Sequence, residues 1–352
     1  MNKTSGKTSS KTSIALIGAG VIGRTHVNRI GLSDNLSLAG IADPTDAGKA
    51  LAESVGVPWF ADHRSLLDAV KPQGAIVATP NQTHAAFAID CLERGVAALV
   101  EKPVADDVAA ARALAAAVER LKVPVLVGHH RRHNPINRRA REIVQAGTLG
   151  QIVNVNAMAS MYKPDVYYDA AWRRAPGGGP ILINLIHDID MLRFIVGDIV
   201  EVQAFTSNKV RGFEIEDSAA AILKFANGAL GTVVVSDSVA GPFCWDFTAN
   251  EQDQYPRQEV QSHFIMGTHG SMSLPNLEVF SYKGERHWHK EMTLEKTFVH
   301  KQDAYTLQLQ HFKAVIEGRE APLCSALDGL GTLAATLAVR DAAVSGKSQR
   351  LG

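Results

Sequence analysis

A short apolar stretch that runs directly into a glycine-rich turn is the feature that most constrains the fold of this chain. Residues 13–17 read Ser-Ile-Ala-Leu-Ile, which is typical of a strand buried on both faces of a parallel sheet. The next six residues have glycine at their first, third and sixth positions: Gly18, Ala19, Gly20, Val21, Ile22 and Gly23. The first glycine permits a tight turn, the second lets the backbone approach a pyrophosphate, and the third allows close packing of helix on strand. The pattern predicts a strand–turn–helix unit that binds a dinucleotide at the helix N-terminus.

A carboxylate follows this motif at the expected distance. The predicted strand at residues 38–42 ends at Asp43, at the spacing of about 20 residues that the dinucleotide fingerprint requires. An aspartate there accepts both ribose hydroxyls and repels a 2′-phosphate, and Pro44 and Thr45, which follow it, offer that phosphate no arginine. NAD is therefore favoured over NADP, while the alternative is that Asp43 only caps the next helix.

Strands and helices continue to alternate to about residue 127. The predicted strands are residues 59–60, 74–78, 96–100 and 123–127, and the predicted helices are residues 64–70, 85–94 and 106–121. This regularity predicts an α/β doubly wound parallel sheet, in which ligands bind at the carboxyl ends of the strands. Lys102 follows one of these strands, between Glu101 and Pro103, where a lysine can hold a substrate oxygen. A solvated surface lysine is the alternative interpretation.

A glycine run at residues 177–179 precedes an amphipathic segment. Apolar residues recur at helical spacing in this segment: Leu182, Leu185, Ile186, Ile189, Leu192 and Val196. Asn184, His187, Asp188 and Met191 are expected on the opposite face. The helix thus presents an amide, an imidazole and a carboxylate together, although a water-facing polar side would read the same way.

Length and charge set the wider limits. The chain has 352 residues and a formal net charge of +0, which favours two domains and gives no electrostatic argument for nucleic acid or membrane binding. Its three cysteines are widely separated, as in a protein of a reducing, cytoplasmic compartment, and no spacing predicts a metal site. We expect a disordered leader at residues 1–12, a dinucleotide-binding domain at 13–128 and a substrate-binding and oligomerisation domain at 129–352.

Several motifs together resemble the Gfo/Idh/MocA family of nicotinamide-dependent dehydrogenases, which includes glucose–fructose oxidoreductase and inositol dehydrogenase. The resemblance rests on motifs that occur in family order over most of the chain: the glycine motif at 18–23, Thr79-Pro80-Asn81 with His84, Glu101-Lys102-Pro103, the arginine-containing segment at 128–135, and the glycine run followed by His187-Asp188-Ile189-Asp190.

The resemblance implies a Rossmann domain followed by an α+β domain with a large, mostly antiparallel sheet. Strands are expected at residues 151–158, 199–205, 218–225, 230–236, 264–272 and 279–282, and helices at 304–317 and 326–344. Asn227-Gly228 is a hairpin turn signal. Since such a sheet exposes a face, a homo-oligomer, either a dimer or a tetramer, is expected.

The resemblance also assigns roles to residues. Lys102 and His187 flank the reacting carbon, with imidazole suited to accept the hydroxyl proton. The residues expected to bind the cofactor are Gly18, Gly20, Val21, Ile22, Gly23, Asp43, Thr79, Pro80, Asn81, His84, Glu101, Lys102, Trp172 and Arg173. Those expected to bind the substrate are Asn184, Asp188, Arg131, Trp172 and Tyr162.

The chain departs from the family pattern at one position. Many members have an aspartate four residues before the histidine, and here that residue is Ile183. Asn184 can bond a substrate hydroxyl but cannot act as a base, and Asp188 is the other candidate to replace the aspartate. This departure affects the expected substrate more than the expected reaction.

The sequence therefore predicts an NAD-dependent oxidoreductase that oxidises a secondary alcohol of a sugar, cyclitol or sugar derivative to a ketone. One alternative is a dihydrodiol dehydrogenase for a cyclic or carboxylated diol, which the arginines at 131, 132, 173 and 174 keep open. Another is an NAD-binding regulatory protein without turnover. His287-Trp288-His289 is expected in a strand, with cross-strand packing.

Overall fold

A computed structural model describes residues 11–352, so most of the expected leader at residues 1–12 lies outside the described residues. The chain divides into two compact units. The first contains the residues up to His130 together with Tyr305–Leu330, and the second contains Arg131–Ala304 and Gly331–Gly352. None of the helices in residues 11–352 is long and apolar enough to cross a membrane.

Within the described residues, the first unit holds a six-stranded, wholly parallel sheet in the order β3-β2-β1-β4-β5-β6. Its strands are β1 (Thr12–Ile17), β2 (Leu36–Ala42), β3 (Trp59–Phe60), β4 (Gly74–Val77), β5 (Ala97–Glu101) and β6 (Val125–Gly128). The intervening helices are α1 (Val21–Gly31), α2 (Asp46–Val55), α3 (His63–Val70), α4 (Asn81–Leu92) and α5 (Val108–Leu121). The doubly wound fold is confirmed, and its strand order reverses between β1 and β4, where such sheets bind ligands.

A later helix, α9 (Ala304–Ile316), also packs on this sheet. A Cβ atom added at Gly74 would lie 2.6 Å from Ile316 and 3.0 Å from Phe312, so the glycine lets the helix approach the first residue of β4. This packing explains why residues 305–330 belong to the first unit. The chain returns to the first unit after forming most of the second, and a single boundary after residue 128 does not describe that return.

Across its described residues, the second unit is built on a nine-stranded sheet in the order β14-β13-β12-β11-β7-β10-β9-β8-β15. Its strands are β7 (Ile152–Ser160), β8 (Ile199–Ser207), β9 (Ser218–Phe225), β10 (Leu230–Ser236), β11 (His263–Gly267), β12 (Gly270–Leu274), β13 (Glu278–Ser281), β14 (Thr293–Lys296) and β15 (Gln349–Arg350). Among the strands within residues 11–352, only β7 and β10 pair in parallel, so the expected mostly antiparallel sheet is confirmed.

The remaining regular helices are α6 (Pro135–Gln145), α7 (Ile186–Ile195), α8 (Trp245–Thr248) and α10 (Ala326–Ser345). A π-helical turn, Ile181–Leu185, runs directly into α7. The chain thus contains the predicted helix after the glycine run, but its first turn is wider than an α-helical turn, as is frequent at functional sites.

Two predictions in this unit are wrong. The single strand expected at 264–272 is a hairpin of β11 and β12, because the chain turns at Thr268 and His269. His287-Trp288-His289 lies outside the strands, and the Trp288 side chain is 85% exposed instead of packing across a sheet. Strand-like composition does not show where a chain reverses.

Candidate functional site

The glycine motif of the first unit requires glycine at its first and third conserved positions. Gly18 has a φ of +97°, and a Cβ there would lie 2.5 Å from the carbonyl oxygen of Ala78. A Cβ at Gly23 would lie 2.1 Å from the Gly18 carbonyl oxygen. At Gly20 a Cβ would meet no described atom within 4 Å. Protein atoms therefore fill the space beside Gly18 and Gly23, whereas the space beside Gly20 is open. In a dinucleotide-binding turn, the backbone at this second glycine approaches the phosphates.

Asp43 lies directly beside this turn. Its carboxylate accepts hydrogen bonds from the Ala19 amide at 2.7 Å and from the Thr45 amide at 2.9 Å. A Cβ at Gly48 would come within 2.4 Å of the Asp43 side chain, so glycine at this position leaves room for the carboxylate at the end of β2. An open glycine turn, a helix N-terminus without a side-chain cap and an adjacent carboxylate together fit the adenosine diphosphate half of NAD.

The segment after β4 completes this edge of the sheet. Thr79 contacts the glycine turn, since its Cγ2 would lie 2.9 Å from a Cβ at Gly18, and its hydroxyl bonds that of Thr83 at 2.7 Å. Asn81 begins α4 after Pro80. His84 is buried, with its two ring nitrogens 2.7 Å from the carbonyl oxygens of Thr79 and Pro103. His84 thus ties together the segments that follow β4 and β5.

A buried ion pair lies next to Lys102. Glu101 is 5% exposed and its carboxylate bonds His26 Nε2 at 2.7 Å, while the Lys102 amide donates to the other carboxylate oxygen at 3.3 Å. Burial alone would raise the pKa of Glu101, but the hydrogen bond and charge of His26 hold it below its ordinary value. A charged Glu101 therefore holds the backbone of Lys102 at the end of β5.

His26 has a role that the sequence reasoning missed. It is fully buried in α1, and its ring meets that of Tyr305 edge-on at 5.9 Å. The ring of His130 stacks on the same tyrosine at 4.4 Å. In the sequence, the only indication of this role is that His26 is a polar residue three positions after Gly23, the last glycine of the motif.

The helix that carries His187 is not amphipathic as predicted. Asp188 is 2% exposed and Met191 1% exposed, so the face expected to be polar is largely buried. Asn184 and His187 remain half-buried. The Asn184 amide oxygen accepts a hydrogen bond from Lys163 Nζ at 2.6 Å, and Ile183 stands where the family aspartate would be. Lys163 is therefore a functional candidate, and in the sequence it lies near three tyrosines, Tyr162, Tyr167 and Tyr168.

Asp188 belongs to a buried network of its own unit. His263 Nε2 lies 2.9 Å from its carboxylate and Arg131 Nη1 lies 3.6 Å from it. Arg131 is 5% exposed and also pairs with Asp246 at 3.2 Å. Both residues were expected to bind substrate, and the structure shows them bound to each other and to acidic and imidazole partners.

A second network holds the same helix. Arg132 makes a two-pronged contact with Asp190, at 2.9 Å from Nε and 2.8 Å from Nη2, and Thr332 donates to Asp190 at 2.8 Å. Arg132 and Asp190 are 4% and 1% exposed. Neither network was predicted, because each joins residues far apart in the sequence.

The loop before the glycine run presents aromatic and cationic groups. Trp172 and Tyr162 are 55% and 53% exposed. The guanidinium of Arg173 lies 4.0 Å from the centre of the Tyr167 ring and donates to the Tyr167 carbonyl at 2.6 Å. These side chains are available to pack against the ring of a ligand.

Both parts of the chain match models of one family. Residues 12–129 match the oxidoreductase family with an NAD-binding Rossmann fold, and residues 137–273 match the GFO/IDH/MocA C-terminal domain.

Curated relatives agree with these models. The rhizopine catabolism protein MocA of Rhizobium meliloti is 30% identical over 184 residues, a match that spans 52% of this chain and only 57% of that protein. Inositol 2-dehydrogenase of Rhizobium meliloti (strain 1021) is 26% identical, over 95% of this chain and 96% of that protein.

The fold is shared with solved structures. The WlbA dehydrogenase from Bordetella pertussis, solved with NADH and UDP-GlcNAcA, superposes with a TM-score of 0.79 and 22% identity, over 97% of this chain and 99% of that one. With the glycine turn, the Asp43 carboxylate and the mostly antiparallel second sheet, these matches show that the chain belongs to the GFO/IDH/MocA family of NAD-binding oxidoreductases.

Proposed function

We propose that this protein is an NAD-dependent dehydrogenase that oxidises a secondary alcohol of a sugar, cyclitol or sugar derivative to the ketone. The observation that carries the proposal is the position of Lys102 at the carboxyl end of β5, on the buried Glu101–His26 pair and in the same unit as the glycine turn. Lys102 holds the alcohol oxygen and stabilises the negative charge that develops on it. Bound NAD supplies the acceptor for the hydride.

His187 is the proposed base. Its imidazole is half-buried at the start of α7, and an imidazole accepts a proton near neutral pH. The hydroxyl proton goes to His187 while the hydrogen on the same carbon leaves with its electron pair, so that a ketone remains. Asp188 and Arg131 act indirectly, because their buried pair holds α7, which carries His187, in place.

Around this chemistry, the exposed and half-buried groups of the second unit are assigned to binding. Asn184 bonds a substrate hydroxyl, and Trp172 and Tyr162 cover a ring. Arg173 pairs with a phosphate or carboxylate. Relatives named for inositol and structures solved with a nucleotide sugar support a substrate with several hydroxyl groups.

We further propose a homo-oligomer, a dimer or tetramer, that forms through the open face of the nine-stranded sheet. Neighbouring strands place apolar side chains on that face: Phe205, Ile222, Leu230, Val234, Phe280 and Leu294, which are 38–74% exposed. An apolar sheet face of this kind marks an interface. Light scattering that finds only monomers at micromolar concentration would contradict this proposal.

Three buried thiols, Cys91, Cys244 and Cys324, support a cytoplasmic location.

The decisive experiment removes the two reacting side chains separately. Lys102→Ala and His187→Ala should each lower kcat by about 10²-fold or more, because each removes a group that acts in the transition state. NAD binding, measured by calorimetry, should persist in both.

Lys11→Ala and His300→Ala change an exposed lysine and an exposed histidine, and serve as matched controls that should turn over normally. Near-normal turnover in both active-site variants, with any polyol that the unmodified protein oxidises, would overturn the assignment.

A further inference from the structure

Asn184, which precedes His187 by three residues, uses only one end of its side-chain amide within the protein. Its Oδ1 accepts a hydrogen bond from Lys163 Nζ at 2.6 Å. Its Nδ2 carries two donors and makes no hydrogen bond to any residue between 11 and 352. The side chain is half-buried, and Nδ2 is not sealed from solvent. The nitrogen end of this amide is therefore the end that a ligand meets.

The contact with Lys163 determines which end of the amide that is. An ammonium group carries three donors and no acceptor, so the atom of Asn184 that faces it must be the carbonyl oxygen. The opposite orientation would set the two N–H donors of Nδ2 against the donors of the ammonium. Asn184 therefore presents a donor to a ligand as long as Lys163 Nζ stays in place.

The fold holds Lys163 in that place. The residue is 7% exposed, and its Nζ lies 4.7 Å from the centre of the Tyr167 ring. Its backbone amide donates to the Asp237 carbonyl at 2.8 Å, and its carbonyl accepts from Arg211 Nη2 at 2.7 Å. The orientation of the Asn184 amide is thus set before any ligand binds, which reduces the ordering cost of binding.

This arrangement reverses the polarity that an aspartate would give to the same helix. A charged carboxylate only accepts hydrogen bonds, so an aspartate four residues before His187 would require a donor on the substrate. In this chain that position is Ile183, which has an apolar side chain, and the neighbouring Asn184 offers a donor instead. An oxygen with lone pairs satisfies this donor, whereas an ammonium substituent would place donor against donor.

We propose that Asn184 is a specificity-determining residue that donates a hydrogen bond to an acceptor on the substrate. The enzyme then acts on sugars or cyclitols with a hydroxyl, carbonyl or ether oxygen beside the reacting carbon, and discriminates against those with an amino group there. The inference rests on the proposed function and deepens it, because it concerns the group next to the alcohol that is oxidised.

The test exchanges the donor for an acceptor. Asn184→Asp keeps the size of the side chain and an oxygen for Lys163, but replaces Nδ2 by a second oxygen. The probes are D-glucose, D-galactose and myo-inositol, each with derivatives in which one hydroxyl is replaced by fluorine or by an amino group. Fluorine cannot donate a hydrogen bond, and the amino group is an ammonium at neutral pH and cannot accept one.

The quantity compared is kcat/KM of a derivative divided by that of its parent. Any effect of Asn184→Asp on NAD or on His187 alters parent and derivative alike, so the ratio reports the contact at the replaced hydroxyl. At one ring carbon, the unmodified protein should prefer the fluoro to the amino derivative. Asn184→Asp should lower the fluoro ratio and raise the amino ratio there, each by about 10-fold or more, because a charge-assisted hydrogen bond changes sign.

Two further variants complete the design. Asn184→Leu removes the donor without adding a charge, and it should reduce the preference for the fluoro over the amino derivative. Gln151→Glu converts an exposed amide of the same unit into a carboxylate and should change neither ratio. An unchanged thermal shift with NAD shows that the Asn184 variants are folded.

If either ratio fails to move as stated in Asn184→Asp at every ring carbon, or if the unmodified protein prefers the amino derivative at all of them, this inference is overturned. The proposed dehydrogenase then still stands, because the parent compounds are oxidised. No NADH from any of the probes overturns the proposed function and this inference with it.

Discussion

The glycine turn of the first unit and the helix that carries His187 in the second are stabilised in different ways. The turn is a backbone structure, in which Gly18 adopts a positive φ and its neighbours within about 60 residues close around it. The helix is held by buried charges, since Asp188 and Asp190 reach partners 75 and 58 residues away. We therefore expect the glycine turn to be sensitive to a Cβ atom added at Gly18 itself. The helix should instead be sensitive to the loss of any one of the distant charged partners of Asp188 and Asp190.

The largest effect is expected from the backbone side. Gly18→Ala should destabilise the protein by about 4 kcal/mol or more, because the alanine needs a positive φ and its Cβ would lie 2.5 Å from a backbone oxygen. The measurement is the free energy of unfolding in guanidinium chloride, with fluorescence as the probe.

Gly20→Ala is the matched control for that change. Gly20 has a φ of −67° and open space at its Cβ, so the variant should fold normally and lose NAD affinity instead. Equal stability losses in the two variants would show that the glycines are not divided between folding and binding as described.

The next effect tests the charge side. Asp190→Asn should cost about 3 kcal/mol of unfolding free energy, because it leaves the buried Arg132 guanidinium without its carboxylate. Asp253→Asn, at a fully exposed carboxylate that pairs with Lys301, should leave the unfolding midpoint unchanged. An Asp190→Asn protein as stable as this control would show that the buried pair does not hold α7.

The same contrast explains how much the sequence could predict. The strands of the first unit, the glycine turn and Asp43 were predictable, because each depends on residues close in sequence or on a repeated alternation. The π turn at Ile181–Leu185, the burial of Asp188 and the partners of Arg131 and Arg132 were not predictable, since these depend on which distant residues the fold brings together. The contacts of His26 with Glu101 and of Lys163 with Asn184 were not predictable for the same reason, because nothing in the sequence near either residue indicates its partner.

The smallest effect separates two carboxyl groups whose pKa values shift in opposite directions, the half-buried Glu216 and the buried Glu101. Burial raises the pKa of Glu216, although the Ile181 amide donates to it at 3.0 Å, whereas His26 holds that of Glu101 below its ordinary value. Glu101 therefore adds stability above the unfolded pKa of 4.5, and that contribution is lost as the pH falls through its folded pKa. For Glu216 the stabilising form is the protonated one, present below 4.5 and lost as the pH rises through its folded pKa.

Glutamine substitutions should reveal these signs. At pH 7.5, Glu216→Gln should be at least as stable as the unmodified protein, because it removes a half-buried charge and keeps an acceptor for the Ile181 amide. The difference should vanish below pH 4.5. Glu101→Gln should be less stable at pH 7.5, with the deficit shrinking as the pH falls below 4.5. Unfolding midpoints measured from about pH 3 to 8 distinguish the two carboxyl groups. A Glu216→Gln protein that is less stable than the unmodified protein at pH 7.5 and equally stable below pH 4.5 would reverse the sign assigned to Glu216.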